Sequence, residues 1–260
     1  GHEIWMQKGA GLNAGFADSD YVSAGANIAD TAEEVFRRAD FITKVKELQH
    51  QEFDLIREDQ MIMTWFHLAE DYDKPMAQAL VDRKSIGLSM ELIVLDDGSR
   101  PTMKPMSDIA GSLAMLESVK YCQTINGGTG LLLRKVYGLP TPQIVVLGGG
   151  SAGLNAAQVA VGLGLKVTIV EASWNRIDYL KAVLPEADVV HYEENVMEKL
   201  LSDCDVFVNC IYPSPEPGKR EPLVKRSTVR KMKNCSLIMD IAGAEIVETS
   251  HYTTLGDPTF

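Results

Sequence analysis

Along the first half of the chain the apolar residues fall into short runs of two kinds. Thr31-Ala32-Glu33-Glu34-Val35-Phe36-Arg37-Arg38 opens on an N-cap residue and reads as a helix, whereas Phe41-Ile42-Thr43-Lys44-Val45-Lys46 reads as a strand. The pattern then predicts a helix over 51–57, a strand over 61–66, a helix over 75–83 and a strand over 86–92. Strands separated by helices require crossover connections, so this half predicts an α/β lobe with a parallel sheet. A longer helix follows from Ser107, its cap, to Ile125, with Ile109, Leu113, Leu116 and Val119 as its apolar face; Asn126-Gly127-Gly128-Thr129-Gly130 ends it. The lobe boundary is placed here, giving residues 1–121 and 122–260.

From Gln143 the alternation resumes, with strands near 143–148, 166–171, 188–192, 205–211 and 236–241 and helices near 151–163, 174–183, 194–202 and 224–232. The first of these strands, Ile144-Val145-Val146-Leu147, runs into Gly148-Gly149-Gly150-Ser151-Ala152-Gly153, a G-x-G-x-x-G turn followed by a helix of small residues. Gly148 permits the tight turn, Gly150 lets backbone N–H groups approach a diphosphate, and Gly153 lets the helix lie close on the sheet. The helix N-terminus adds about half a positive charge aimed at an anion. The next strand ends in Glu171, 18 residues past Gly153, where a carboxylate accepts hydrogen bonds from an adenosine ribose and repels a 2′-phosphate. NAD is therefore favoured over NADP, although the guanidinium of nearby Arg176 can greet the extra phosphate instead. The expected fold is α/β, two Rossmann-like lobes with parallel sheets, the second a doubly wound nucleotide-binding domain.

Composition narrows the partners. The 260 residues carry 25 Lys and Arg against 36 Asp and Glu, a net charge of -11 that repels nucleic-acid phosphates and anionic lipid headgroups. The longest apolar stretch, Ile144 to Val170, is broken by Asn155, Gln158, Lys166 and several glycines, so no membrane span is expected. Cys122, Cys204, Cys210 and Cys235 lack C-x-x-C spacing and read as small buried thiols, which favours a reducing cytoplasm. The five histidines show no paired ligand spacing, and no metal is expected. Gly1-His2-Glu3-Ile4 opens without an initiator Met, and Asp257-Pro258-Thr259-Phe260 closes abruptly, the pattern expected of a fragment.

Several further stretches carry a resemblance: Gly1-His2-Glu3-Ile4 with Lys8-Gly9-Ala10-Gly11, Lys44-Val45-Lys46-Glu47, Thr64-Trp65-Phe66-His67-Leu68-Ala69, Pro105-Met106-Ser107-Asp108-Ile109-Ala110-Gly111 and Gly127-Gly128-Thr129-Gly130. With the nucleotide segment and Glu248 to Pro258, essentially the whole chain resembles the alanine dehydrogenase and transhydrogenase-domain family. The resemblance implies reversible NAD-dependent oxidative deamination of a small L-amino acid to its 2-keto acid plus ammonia, in a cytoplasmic homo-oligomer. It implies a lysine that binds the substrate carboxylate and keto oxygen, matched by Lys46, and an acid/base histidine, matched by His67. Both follow β-type runs and are expected at strand carboxyl ends, where ligands of open α/β sheets bind. An ammonium polarises a carbonyl, and an imidazole, ordinarily titrating near ~6.5, trades protons near neutral pH. Strand alternation puts Lys44 on the same face as Lys46, and only the family motif chooses Lys46. The cofactor-binding positions implied are Gly148, Gly150, Ser151, Ala152, Gly153, Glu171, Arg176 and Asp240.

The match has departures. The family carries a substrate-gripping arginine upstream of residue 1 and an asparagine-bearing loop downstream of residue 260, so parts of the substrate lobe are expected to lie outside this sequence. After Asp240 the family's glycine-containing loop bears a further aspartate; here Asp240-Ile241-Ala242-Gly243-Ala244-Glu245 is shorter, and either the substrate differs from alanine or activity is lost. Two alternatives therefore stand beside the dehydrogenase: an opine-type reductase similar to carboxyethylornithine synthase, which joins a keto acid to an amine, and a nucleotide-binding homologue without chemistry.

Overall fold

The computed structural model describes residues 1–68, 74–211, 221–242, 246–251, 253, 256, 257 and 259. The chain forms two compact units, Gly1–Met103 and Lys104–Phe260. The proline-rich 213–218 loop and the segment containing Glu245 lie outside the described residues.

In order, the first unit contains β1 (Trp5–Gln7), α1 (Asp18–Ser23), β2 (Asn27–Ala29), α2 (Ala32–Arg38), β3 (Phe41–Thr43), β4 (Met61–Thr64), α3 (Lys74–Asp82) and β5 (Ile86–Ser89). Helix α2 starts where expected: Thr31 accepts the Glu34 N–H on its side chain, acidic residues occupy the first turn, and Arg37 and Arg38 the last, complementing the helix dipole. Among the described residues β1 pairs with β2, and β3, β4 and β5 form a parallel sheet in that order. Ile42 and Ile62 turn inward to a core with Phe36, Leu48, Ile56, Phe66, Met76 and Leu80. The opposite face carries Phe41, Met61 and Ile86, aligned in register and exposed.

These strands are shorter than the sequence predicts. The stretches 44–46, 65–66 and 90–92 leave the sheet, the last as a 3-10 turn, and the expected helix over 51–57 is a 3-10 helix over His50–Leu55. Extended, apolar residues satisfy a strand pattern equally well when their backbone groups bond to side chains, and here those chain ends form loops at one end of the sheet.

The second unit is built around α4 (Met103–Tyr121), β6 (Gln143–Leu147), α5 (Ser151–Gly162), β7 (Lys166–Glu171), α6 (Trp174–Val183), β8 (Asp188–His191), α7 (Glu194–Asp203), β9 (Val206–Asn209), α8 (Arg226–Val229) and β10 (Leu237–Asp240). Its five strands among the described residues are parallel, in the order β10-β9-β6-β7-β8. This is the doubly wound arrangement, with the order reversing beside β6, where such sheets bind ligands at strand carboxyl ends. Ile144, Val145, Val146 and Leu147 are all buried, as a central parallel strand covered on both faces requires.

Helix α4 corrects the predicted face as well as the predicted start. Ser107 lies inside the helix, and Pro105 fits in the first turn, where its missing N–H has no helical partner. The buried stripe is Gly111, Ala114, Met115 and Ser118, while Ile109, Leu113 and Leu116 are exposed. The cause is close approach: a Cβ on Gly111 would lie 1.9 Å from the Ala152 carbonyl oxygen, so no side chain fits at that position, and the helix seats on that face. Burial also divides the cysteines, since Cys122 and Cys204 are buried and Cys235 is exposed. Burial pushes the Cys204 and Cys210 thiols up to about 12, which keeps them protonated and inert. Among the described residues no helix is long and apolar enough to cross a membrane.

Candidate functional site

The β6–α5 turn is shaped for an anion. Gly148 has φ +91, in the region that favours glycine, and donates its N–H to Val170 O at 2.8 Å. Gly150 is the N-cap of α5 and offers no side-chain cap, so the first-turn N–H groups of Ser151, Ala152 and Gly153 have no helical acceptor. A Cβ on Gly150 would meet nothing within 4 Å, which leaves open the space a diphosphate needs. A Cβ on Gly153 would lie 1.8 Å from Gly148 O, so the helix can sit at this depth only with glycine there. The residues present thus fit a dinucleotide.

Glu171 and Arg176 meet the same turn. The Glu171 carboxylate accepts the Gly149 N–H at 2.8 Å on Oε2, and those of Ala172 at 2.8 Å and Ser173 at 2.9 Å on Oε1. Arg176 Nε donates to Gly149 O at 2.6 Å. Both backbone polar groups of Gly149, its N–H and its carbonyl, are therefore held by side chains whose expected task in the sequence is contact with the adenosine. Beside them a pocket of about 340 Å³ is lined by Leu147, Gly148, Val170, Glu171, Tyr192 and Leu223, among others. It is apolar apart from the carboxylate, the composition that suits a flat heterocycle carrying a hydroxylated sugar.

Asp240 ends β10 in register with Asn209 of β9. Its Oδ1 accepts from Asn209 Nδ2 at 2.9 Å and from the Ala242 N–H at 3.1 Å, while buried Oδ2 has no hydrogen-bond partner among the described residues. Asn209 is fully buried, yet in the sequence a polar residue ending an apolar run resembles an ordinary strand terminus.

In the first unit, the loops after β3, β4 and β5 are tied to one another. Thr64 Oγ1 donates to Lys46 O at 2.8 Å, which joins the Lys46 loop to the end of β4. The Lys46 side chain is 68% exposed, and its ammonium lies 3.4 Å from Glu47 Oε2. Lys44, its rival in the sequence, is occupied: its ammonium pairs with Glu52 Oε2 at 2.5 Å and is mostly buried. His67 has φ 53, a conformation that costs a non-glycine residue roughly 1–2 kcal/mol. Its N–H donates to Glu91 Oε1 at 2.7 Å, and the Phe66 N–H to Glu91 Oε2 at 3.3 Å. Glu91 is only 7% exposed. Burial pushes its carboxyl up, yet the Ser89 hydroxyl and nearby N–H donors outweigh this and hold it below the usual value. The signal that could have found Glu91 is a lone acid in the apolar run Ile86-Gly87-Leu88-Ser89-Met90-Glu91-Leu92-Ile93-Val94-Leu95.

Known proteins match the chain throughout. Residues 1–110 match the alanine dehydrogenase/PNT N-terminal domain and residues 114–260 the C-terminal domain of the same name. An alanine dehydrogenase from Methanococcus maripaludis is 37% identical over all of this chain and 70% of its own length. One from Staphylococcus epidermidis is 34% identical over the same shares. A solved L-alanine dehydrogenase superposes with a TM-score of 0.88 at 34% identity, covering 100% of this chain and 72% of that one. A transhydrogenase from Sinorhizobium meliloti, 20% identical, shares the fold with a TM-score of 0.77 over 98% of this chain and 75% of that one. Two domain matches in their family order, and relatives aligned from end to end, show that the chain belongs to the alanine dehydrogenase/PNT family.

Proposed function

We propose that this protein is an NAD-dependent amino-acid dehydrogenase that converts a small L-amino acid reversibly into its 2-keto acid and ammonia. The observation that carries the reading is the family-wide match to alanine dehydrogenases on a chain whose β6–α5 turn leaves a diphosphate cradle open. In this reading the first unit handles substrate and the second holds the cofactor. NAD, when bound, supplies hydride exchange. The N–H groups of Ser151, Ala152 and Gly153 hold its diphosphate, and Glu171 faces its adenosine ribose. Lys46 presents an exposed ammonium that neutralises the substrate carboxylate and draws electron density from the keto oxygen. His67 moves the proton that amine or carbonyl must lose or gain. That Lys44 is already engaged by Glu52 supports Lys46 as the substrate lysine. The family reading also carries a cytoplasmic location and a homo-oligomer, the latter tested by light scattering on the purified protein.

The test is NADH oxidation with a panel of 2-keto acids, each supplied with ammonia or with an amino acid as amine donor. Turnover with ammonia supports the dehydrogenase. Turnover only with amino-acid donors would make it an opine-type reductase, and NADH binding without any turnover would make it a non-catalytic homologue. A second experiment addresses cofactor choice. Glu171→Ser removes the repulsion toward a 2′-phosphate, and the NADPH/NADH ratio of kcat/KM is expected to rise at least about 10-fold. An unchanged ratio would remove the ribose contact from the proposal.

A further inference from the structure

We propose that Glu91 is a positioning residue that aims the His67 imidazole, an inference that rests on the reading of His67 as the proton-transfer group. Two successive backbone N–H groups, from Phe66 and His67, converge on the two oxygens of one buried carboxylate. Such convergence forms a nest, the backbone concavity that ordinarily binds an anion, and here the anion is supplied by the chain itself. The nest exists only while His67 keeps its positive φ. A return to an ordinary conformation would break the bond and swing the Cα–Cβ vector, and with it the imidazole, away from its present exit direction. Ser89 Oγ, donating to Glu91 Oε1 at 2.6 Å, fixes the carboxylate in turn. Since Ser89 ends β5, the backbone of His67, three residues past the end of β4, is tied through Glu91 to the neighbouring strand of the sheet. A strained residue retained against its own conformational preference, and held by a buried charge, is the pattern expected where direction matters to function.

Charge and acceptor count explain why glutamate is needed. A glutamine has one acceptor oxygen, so one of the two N–H groups would face its amide nitrogen, donor against donor. A leucine offers no acceptor at all.

The experiment compares Glu91→Gln and Glu91→Leu in the intact protein, each with and without His67→Ala. Expected are losses in kcat of about 10-fold for Gln and about 10²-fold for Leu, with KM and NADH affinity changed less than about 3-fold, as fits a misaimed group. Amide hydrogen exchange in the peptide spanning Phe66 and His67 should accelerate in both variants. Added to His67→Ala, Glu91→Gln should cost less than about 2-fold more, because its effect passes through the imidazole. If Glu91→Leu fails to fold, the near-isosteric Gln variant carries the test. Full kcat and unchanged exchange in Glu91→Gln overturn the proposal, as does an undiminished loss in the His67→Ala background. Were His67→Ala as active as wild type, the reading of His67 falls and the proposal with it. Were His67→Ala dead and Glu91→Gln fully active, the proposal alone falls.

Discussion

His67→Ala is expected to lower kcat by about 10³-fold, the loss typical of a removed general acid or base, while leaving NADH affinity within about 2-fold. The division follows from where the residue lies. His67 lies in the loop that follows β4 in the first unit, whereas the groups assigned to the dinucleotide belong to the second. Alanine keeps the strained positive φ and gives up the partly buried imidazole, so it should not stabilise the fold, whereas glycine at the same position should be more stable than alanine by up to about 1 kcal/mol because it adopts that φ without strain. Steady-state kinetics, NADH fluorescence titration and thermal melting check the three parts together. Wild-type turnover in His67→Ala would remove the histidine from the chemistry.

Gly153→Ala is expected to do the reverse, weakening NADH binding about 10²-fold or more and destabilising the fold by at least about 2 kcal/mol. The added methyl would lie 1.8 Å from the Gly148 carbonyl oxygen and 3.3 Å from Val146 Cγ1, and a backbone oxygen cannot turn aside as a flexible side chain can. Helix α5 must therefore rise off the sheet, carrying its first-turn N–H groups out of line with the diphosphate. Its inner face of Ala156, Ala157 and Ala160 would lose contact with β6 and β7 at the same time. A melting temperature and a titration within error of wild type would mean that the helix does not depend on this close seat.

Much of this was legible in advance, for identifiable reasons. The second unit's strands and the glycine turn carry strong local signals: continuous β-branched runs, a strand, turn and helix in fixed order, and an acid at the proper distance. The cap at Thr31 was legible because its physics is confined to three residues. What escaped depends on neighbours distant in the chain. The inward face of α4 is set by the seat of Gly111 against the Ala152 carbonyl, a contact that no periodicity of large apolar residues reveals. The loops after β3 and β4 looked like continued strand because Val45, Trp65 and Phe66 are strand-forming residues; their departure is stabilised by Thr64 and Glu91 side chains taking the place of ladder bonds. Glu91 itself was invisible because its partners are backbone amides, which every residue but proline possesses.

The grip on the Gly149 backbone, carboxylate on its N–H and guanidinium on its carbonyl, bears on any attempt to retool the protein for a phosphorylated dinucleotide. Selectivity and turn geometry are not separate design variables here. Substitution at position 171 alone should shift the coenzyme ratio while weakening binding of both coenzymes, and tighter-binding solutions should pair a smaller residue at 171 with a new hydrogen-bond acceptor, from a neighbouring position, for the amide it releases.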